Sequence, residues 1–118
     1  LNKSLEIDPN NEFVLKNRGA TYYMINNFRS SREDLEISLT IDPDDSFTLG
    51  YLGAIYCKDG YYTKSLEYLN ESLRSERKNA FTLRQRGITY FHMKEYNKSL
   101  ADLDKSLELE RLYPHEAL

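Results

Sequence analysis

The chain of 118 residues has no tryptophan, one cysteine, two histidines and three prolines. The lone Cys57 excludes an internal disulfide and fits a reducing compartment, so a cytoplasmic location is the expectation. His92 and His115 lie far apart, and neither stands at a metal-ligand spacing to Cys57. No Gly-rich phosphate loop and no nucleophile motif is present. Asp102 and Asp104 fall on different faces of a helix and suit solubility rather than general acid–base work. No enzymatic activity, no metal and no cofactor are therefore expected. No apolar run approaches the roughly 18 residues of a membrane span, and mean hydropathy is −0.69. A basic excess is also missing. Lys and Arg number 16 against 19 Asp and Glu, for a net charge of −3. That balance argues against a nucleic-acid binder, and neither nucleic acid nor membrane is an expected partner. No secretory leader is visible, and with Leu1 first the chain reads as a piece of a longer one.

What is present is periodic. Gly19, Gly53 and Gly87 stand 34 residues apart, and so do Leu15, Leu49 and Leu83. Tyr22, Tyr56 and Tyr90 keep the same step, as do Phe13, Phe47 and Phe81. A shared period of this size marks a repeat array, in which each unit buries its apolar face against its neighbours. Three full units follow, 12–45, 46–79 and 80–113. In each, the Leu, Gly and Tyr recur at i, i+4, i+7, on one face of a first helix. Asn11, Asp45 and Asn79 stand where they can cap these helices. The second half carries Phe28, Ser31, Leu35, Ser38 and Leu39, and their counterparts one and two units on, again one helical face. Asn26-Asn27, Asp59-Gly60 and Lys94-Glu95 are the turns between halves. First helices are expected over 12–25, 46–59 and 80–93, and second helices over 26–42, 60–76 and 94–111. The mid-helix glycines imply close helix approach, because Gly there costs about 1 kcal/mol against Ala. Ser31, Ser65 and Ser99 are the expected opposite surfaces, each hydroxyl able to bond back to its own helix. Ser38, Ser72 and Ser106 play that part toward the next unit.

The unit Leu-x3-Gly-x2-Tyr, then aromatic-x2-small-x3-Leu-x2-small, then Pro, resembles the tetratricopeptide repeat. The resemblance covers 12–113 fully, and residues 1–11 match the tail of a preceding unit, while 114–118 read as the stub of a following helix. It implies an all-α, right-handed superhelical solenoid of antiparallel helix pairs. Leu15, Leu49 and Leu83 stand where the family has Trp, and Ser where it has Ala. Arg77 and Arg111 replace the terminating Pro, with Pro114 three residues late. Arg18 and Arg86 replace a usual Leu, kept as Leu52, and both are followed 16 residues later by Asp, at Asp34 and Asp102. The middle unit has Tyr68 instead. Two outcomes are open: ion pairs within a unit, which specify packing more than they stabilise, or arginines that snorkel to solvent.

The resemblance further implies that first helices line a concave groove. Its residues would be Phe13, Lys16, Asn17, Ala20 and Tyr23 in the first unit. The second supplies Phe47, Gly50, Tyr51, Ala54, Cys57 and Lys58, and the third Phe81, Arg84, Gln85, Ile88 and Phe91. The phenylalanines would form a ladder along one rim or pack between first helices. Tyr51, with Gly50 and Ala54 beside it, suggests a notch for a side chain. First helices carry Lys16, Arg18, Lys58, Arg84 and Arg86 against Glu12 and Asp59, a mildly basic set that favours an acidic or apolar peptide. Of the five positions with which one subclass grips a C-terminal carboxylate, Lys16 alone matches, and Ala20, Tyr51, Phe81 and Gln85 do not. Two readings of function follow. One is a protein–protein interaction scaffold holding a peptide segment in the groove. The other is a self-associating structural module stacked through uncovered ends.

Overall fold

Residues 11–114 are described by a computed structural model, and among them are six helices and no strand. In chain order these are α1 (Glu12–Met24), α2 (Phe28–Ile41), α3 (Ser46–Lys58), α4 (Tyr62–Ser75), α5 (Ala80–His92) and α6 (Tyr96–Leu112). First helices start at 12, 46 and 80 and second helices at 28, 62 and 96, so both sets keep the 34-residue step. The segments assigned to 1–10 and 115–118, His115 among them, lie outside the described residues.

Local chemistry sets these bounds. Asn11, Asp45 and Asn79 accept from the backbone N–H of Val14, Thr48 and Thr82, the expected caps. Second helices begin two residues later than expected because Asn26, Gly60 and Lys94 adopt φ of 66°, 84° and 65°. A left-handed residue cannot continue a right-handed helix. The ends of the second helices differ. α2 and α4 stop at Ile41 and Ser75, the same register position, although only the first is followed by Pro. α6 runs on to Leu112, where Pro114 excludes helical backbone from Tyr113.

Within each pair the helices run antiparallel, since Gly19 faces Ser31 while Glu12 faces Ser38. A Cβ on Gly19, Gly53 or Gly87 would lie 2.7, 2.5 or 2.8 Å from Cγ of Leu35, Leu69 or Leu103. The second-helix leucine therefore occupies the space that the missing side chain leaves. Beside it the serine hydroxyl donates across the pair, not back to its own helix. Ser31 donates to Gly19 O at 2.6 Å, and Ser65 and Ser99 to Gly53 O and Gly87 O at 2.8 Å. The glycine carbonyl is laid open by the same close approach, so it becomes the nearest acceptor for a buried hydroxyl.

Each further pair stacks its first helix against the pair before it, α3 on α1 and α2, α5 on α3 and α4. Small hydroxyl residues mark the seams. Ser72 Oγ lies 2.8 Å from Thr82 Oγ1, Ser65 Oγ 3.2 Å from Thr89 Oγ1, and Ser38 Oγ 3.5 Å from Thr48 Oγ1. The core sits in the middle pair, where Leu52 and Ile55 join Leu35 and Tyr51 in one buried cluster. α3 is covered from both sides, and from Thr48 to Cys57 only Tyr56 escapes full burial.

Candidate peptide groove

Four of the groove aromatics come together where the first helices meet. Tyr51 stacks on Phe81 with centroids 4.4 Å apart and planes at 23°. Phe47 lies 4.9 Å and Tyr23 5.2 Å from the Tyr51 ring. Such offset and edge-on pairs add attraction beyond the area they bury. Burial pushes the phenols of Tyr23 and Tyr51 above their ordinary pKa, while the positive Arg84 pulls both the other way. The Arg84 guanidinium stands over Phe81 at 5.4 Å.

An open cleft of about 650 Å³ lies against this cluster. Phe47, Tyr51, Phe81 and Arg84, four of the residues assigned to the groove, line it. The same wall includes Met24, the linker residues Glu76, Lys78 and Asn79, Ala80 at the start of α5, Leu109 and Glu110 from the end of α6, and Tyr113 just past it. Sequence reasoning missed this second group: the linker and the end of α6 because first helices alone were assigned to the groove, and Met24 and Ala80 because they stand at the ends of first helices, outside the positions assigned there. The late Pro114 was the available signal, since it lengthens α6.

The other assigned residues lie elsewhere. Phe13 is 68% exposed and Phe91 56% exposed, outside the aromatic cluster. No Phe ladder forms, for Phe47 and Phe81 both pack on Tyr51 while Phe13 has no aromatic partner among the described residues. Phe91 instead meets His92 and Tyr96 at the α5–α6 turn. Asn17 is exposed, and its amide donates to Phe13 O of its own helix. Cys57 and Gln85 are buried, and Ala20 and Ile88 are partly buried. Lys58 is exposed at the end of α3. The notch expected beside Tyr51 is filled. A Cβ on Gly50 would collide with Thr82 Oγ1, and Ala54 is buried. Gly50 thus admits the neighbouring helix, not a ligand.

The basic character expected of the first helices is largely consumed. Arg18 donates from Nε and Nη2 to Asp34 at 2.7 and 2.8 Å, and Arg86 does the same to Asp102. These are the ion pairs suggested by the 16-residue spacing, bidentate and directed into the helix pair rather than the groove. Lys16 Nζ lies 3.4 Å from both Glu12 and Asp45. Burial disfavours its charge, yet the two carboxylates outweigh that and hold its pKa above the ordinary value. Glu12, Asp42 and Asp45 bring carboxylate oxygens within 4.8 Å of one another, with the Lys16 ammonium already among them. Among the described residues, Arg84 and the exposed Lys58 are the exceptions. The carboxylate nearest Arg84 among those residues is Glu110, 3.9 Å away, with both side chains partly exposed.

No protein-family model and no curated protein matches the sequence. Solved structures do. MamA superposes with a TM-score of 0.80 at 21% identity, over 98% of this chain and 67% of that one. PilW, a widely conserved type IV pilus biogenesis factor, gives 0.82 at 20% identity, over 98% of this chain and 54% of that one. The second TPR of Spaghetti (RPAP3), bound to the HSP90 peptide SRMEEVD, gives 0.76 at 15% identity, over 84% and 92% of the two chains. This chain thus spans about two thirds of MamA and half of PilW. Helix pairs at a 34-residue step, glycine-to-leucine packing inside each pair and these superpositions together give one conclusion: the chain has the all-α solenoid fold of the tetratricopeptide repeat.

Proposed function

We propose that this is a protein–protein interaction module, and that an extended segment of a partner lies in the concave cleft with an apolar side chain on the Tyr51–Phe81 floor. The observation that carries this reading is the cleft of about 650 Å³ backed by four clustered aromatics. Clefts of this volume with an apolar floor and polar groups beside it are a common shape of binding sites, and here Glu76, Lys78, Asn79, Arg84 and Glu110 supply the polar groups. The peptide-bound RPAP3 domain supplies a precedent for the use of such a solenoid. No helix among the described residues is long and apolar enough to cross a membrane. With Arg18, Arg86 and Lys16 engaged internally, the occupant is chiefly apolar, not strongly acidic. Affinity capture with the intact chain and with a Met24→Glu, Arg84→Ala variant tests the assignment. Both residues line the cleft without forming its core, so the variant is expected to fold and to lose the captured segment. Equal capture by the two proteins would remove the cleft from consideration.

A second reading rests on α6. Leu100 and Leu107 are 58% and 65% exposed, whereas Leu73, the counterpart of Leu107, is 8% exposed beneath α5. An uncovered face of this kind suits association with a second copy. Light scattering over a concentration series, with Leu107→Glu as the control, is expected to show mass rising for the native chain only. A native chain that stays monomeric throughout excludes it.

A further inference from the structure

Arg84 differs from the other interior-facing arginines in how it is paired. Arg18 and Arg86 each make two bonds of 2.7–2.8 Å to carboxylates that are only 7% and 9% exposed. Among the described residues Arg84 has a single 3.9 Å approach, to Glu110, and the side chains are 43% and 33% exposed. Of these three arginines, two are committed to a carboxylate and Arg84 is held loosely. The loose one borders the cleft, with the guanidinium fixed over Phe81 at the edge of the aromatic floor.

Glu110 reaches this place through the overrun of α6. Its register counterparts, Asp42 and Glu76, lie beyond the ends of α2 and α4. Glu110 is still helical, and its carboxylate lies 3.5 Å from the Ser106 hydroxyl, whose nearer acceptor is Ala80 O at 2.9 Å. A guanidinium offers five donors in a planar fork, and a free carboxylate can take two of them at once. Glu110, held by its helix at 3.9 Å, does not reach that geometry.

We propose that Glu110 is an internal competitor for Arg84. The segment taken by the cleft then carries a carboxylate beside its apolar anchor. That carboxylate replaces Glu110 on the guanidinium while the apolar side chain covers the Tyr51–Phe81 floor. This rests on the groove reading above and specifies the occupant's chemistry: an apolar residue adjacent to Asp or Glu. An exposed, distant ion pair contributes little, so displacing Glu110 is easy and a closer bidentate pair is favoured. Acidic segments without the apolar residue gain only the exchange of one carboxylate for another and bind poorly.

Three fluorescein-labelled peptides with Gly-Ser flanks test this, built on Phe-Glu, Phe-Gln and Ala-Glu cores. Anisotropy titrations use the full chain, Glu110→Gln and Arg84→Gln, with circular dichroism to confirm that each is folded. The native chain is expected to prefer Phe-Glu over Phe-Gln and to bind Ala-Glu weakest. Glu110→Gln is expected to tighten Phe-Glu roughly two- to fivefold, the range of an exposed ion pair, and to leave Phe-Gln unchanged. Arg84→Gln abolishes the preference for Phe-Glu. If Phe-Glu binds the native chain and Glu110→Gln changes nothing, or tightens both Phe peptides equally, the competitor is overturned while the groove stands. If neither Phe peptide binds any of the three proteins, the groove reading fails and takes the competitor with it.

Discussion

The middle helix pair and its two neighbours solve the same register position in different ways. Pairs one and three place Arg18 against Asp34 and Arg86 against Asp102, while pair two places Leu52 and Tyr68 there. Leu52 is completely buried, and the two arginines keep 28% and 26% of their side chains in solvent. The tyrosine one turn further along the first helix has a planar neighbour in every pair. Arg18 and Arg86 lie over Tyr22 and Tyr90 at 5.8 Å, and Tyr68 stacks on Tyr56 at 5.3 Å with planes 3° apart. A guanidinium and a phenol ring therefore do the same packing job. What separates them is cover: α3 is enclosed between two pairs, so a charge at Leu52 would lose its water, whereas α1 and α5 leave their arginines a route to solvent.

Placing the outer solution in the middle is the most severe way to break the comparison. Leu52→Arg is expected to lose about 3 kcal/mol or more, because it buries a charge opposite Tyr68. Adding Tyr68→Asp should restore part of that loss in urea unfolding; a double variant no better than the single one would show that cover, not pairing, is what matters. Next in size is Asp102→Ala, which leaves Arg86 without its carboxylate and should cost about 1–3 kcal/mol. The reverse conversion, Arg18→Leu with Asp34→Tyr, is expected to be close to neutral, since buried pairs often exchange for apolar ones without loss. A large loss in that double variant would mean the ion pair is essential to pair one. An effect smaller than that of Asp102→Ala concerns the turns, where pair two has Gly60 and pair three has Lys94 at positive φ. Lys94→Gly should raise stability by about 1 kcal/mol, the strain of a left-handed side chain, and a fall in the thermal midpoint would contradict it. The smallest effect is alkaline. Burial raises the pKa of Tyr56 and Tyr68, in pair two, above 10.0. The folded chain then holds protons that the unfolded chain releases. Their contribution is complete below pH 10 and is lost as pH rises through the folded values. Urea midpoints taken upward from pH 10 should fall, and should fall less in Tyr68→Phe.

Much of this was legible in the residues. Gly, Leu and Tyr at a 34-residue step placed the helices, and Asn11, Asp45 and Asn79 marked their starts. The Arg–Asp spacing of 16 residues anticipated the two ion pairs, because an antiparallel hairpin brings such positions opposite each other. The cleft was half legible. Phe47, Tyr51, Phe81 and Arg84 were assigned to it; Met24, Leu109, Glu110 and Tyr113 were not. Gly50 looked like a notch for a ligand and proved to be the bed of Thr82. In each miss the deciding atom belongs to another helix, and periodicity reports only which face of its own helix a residue occupies.

Sequence alone determined the unit, its period and the face each residue takes, because those follow from local backbone chemistry and apolar spacing. Tertiary structure decided which of those faces remain open. Packing within helix pairs engaged the cations of Arg18 and Arg86, and stacking between pairs engaged Lys16, filled the space beside Gly50 and brought the end of α6 to the cleft opposite Arg84. The physical reason is that burial and pairing depend on what arrives from other helices, and two residues of one pattern, Leu73 and Leu107, end with opposite exposures for that cause alone.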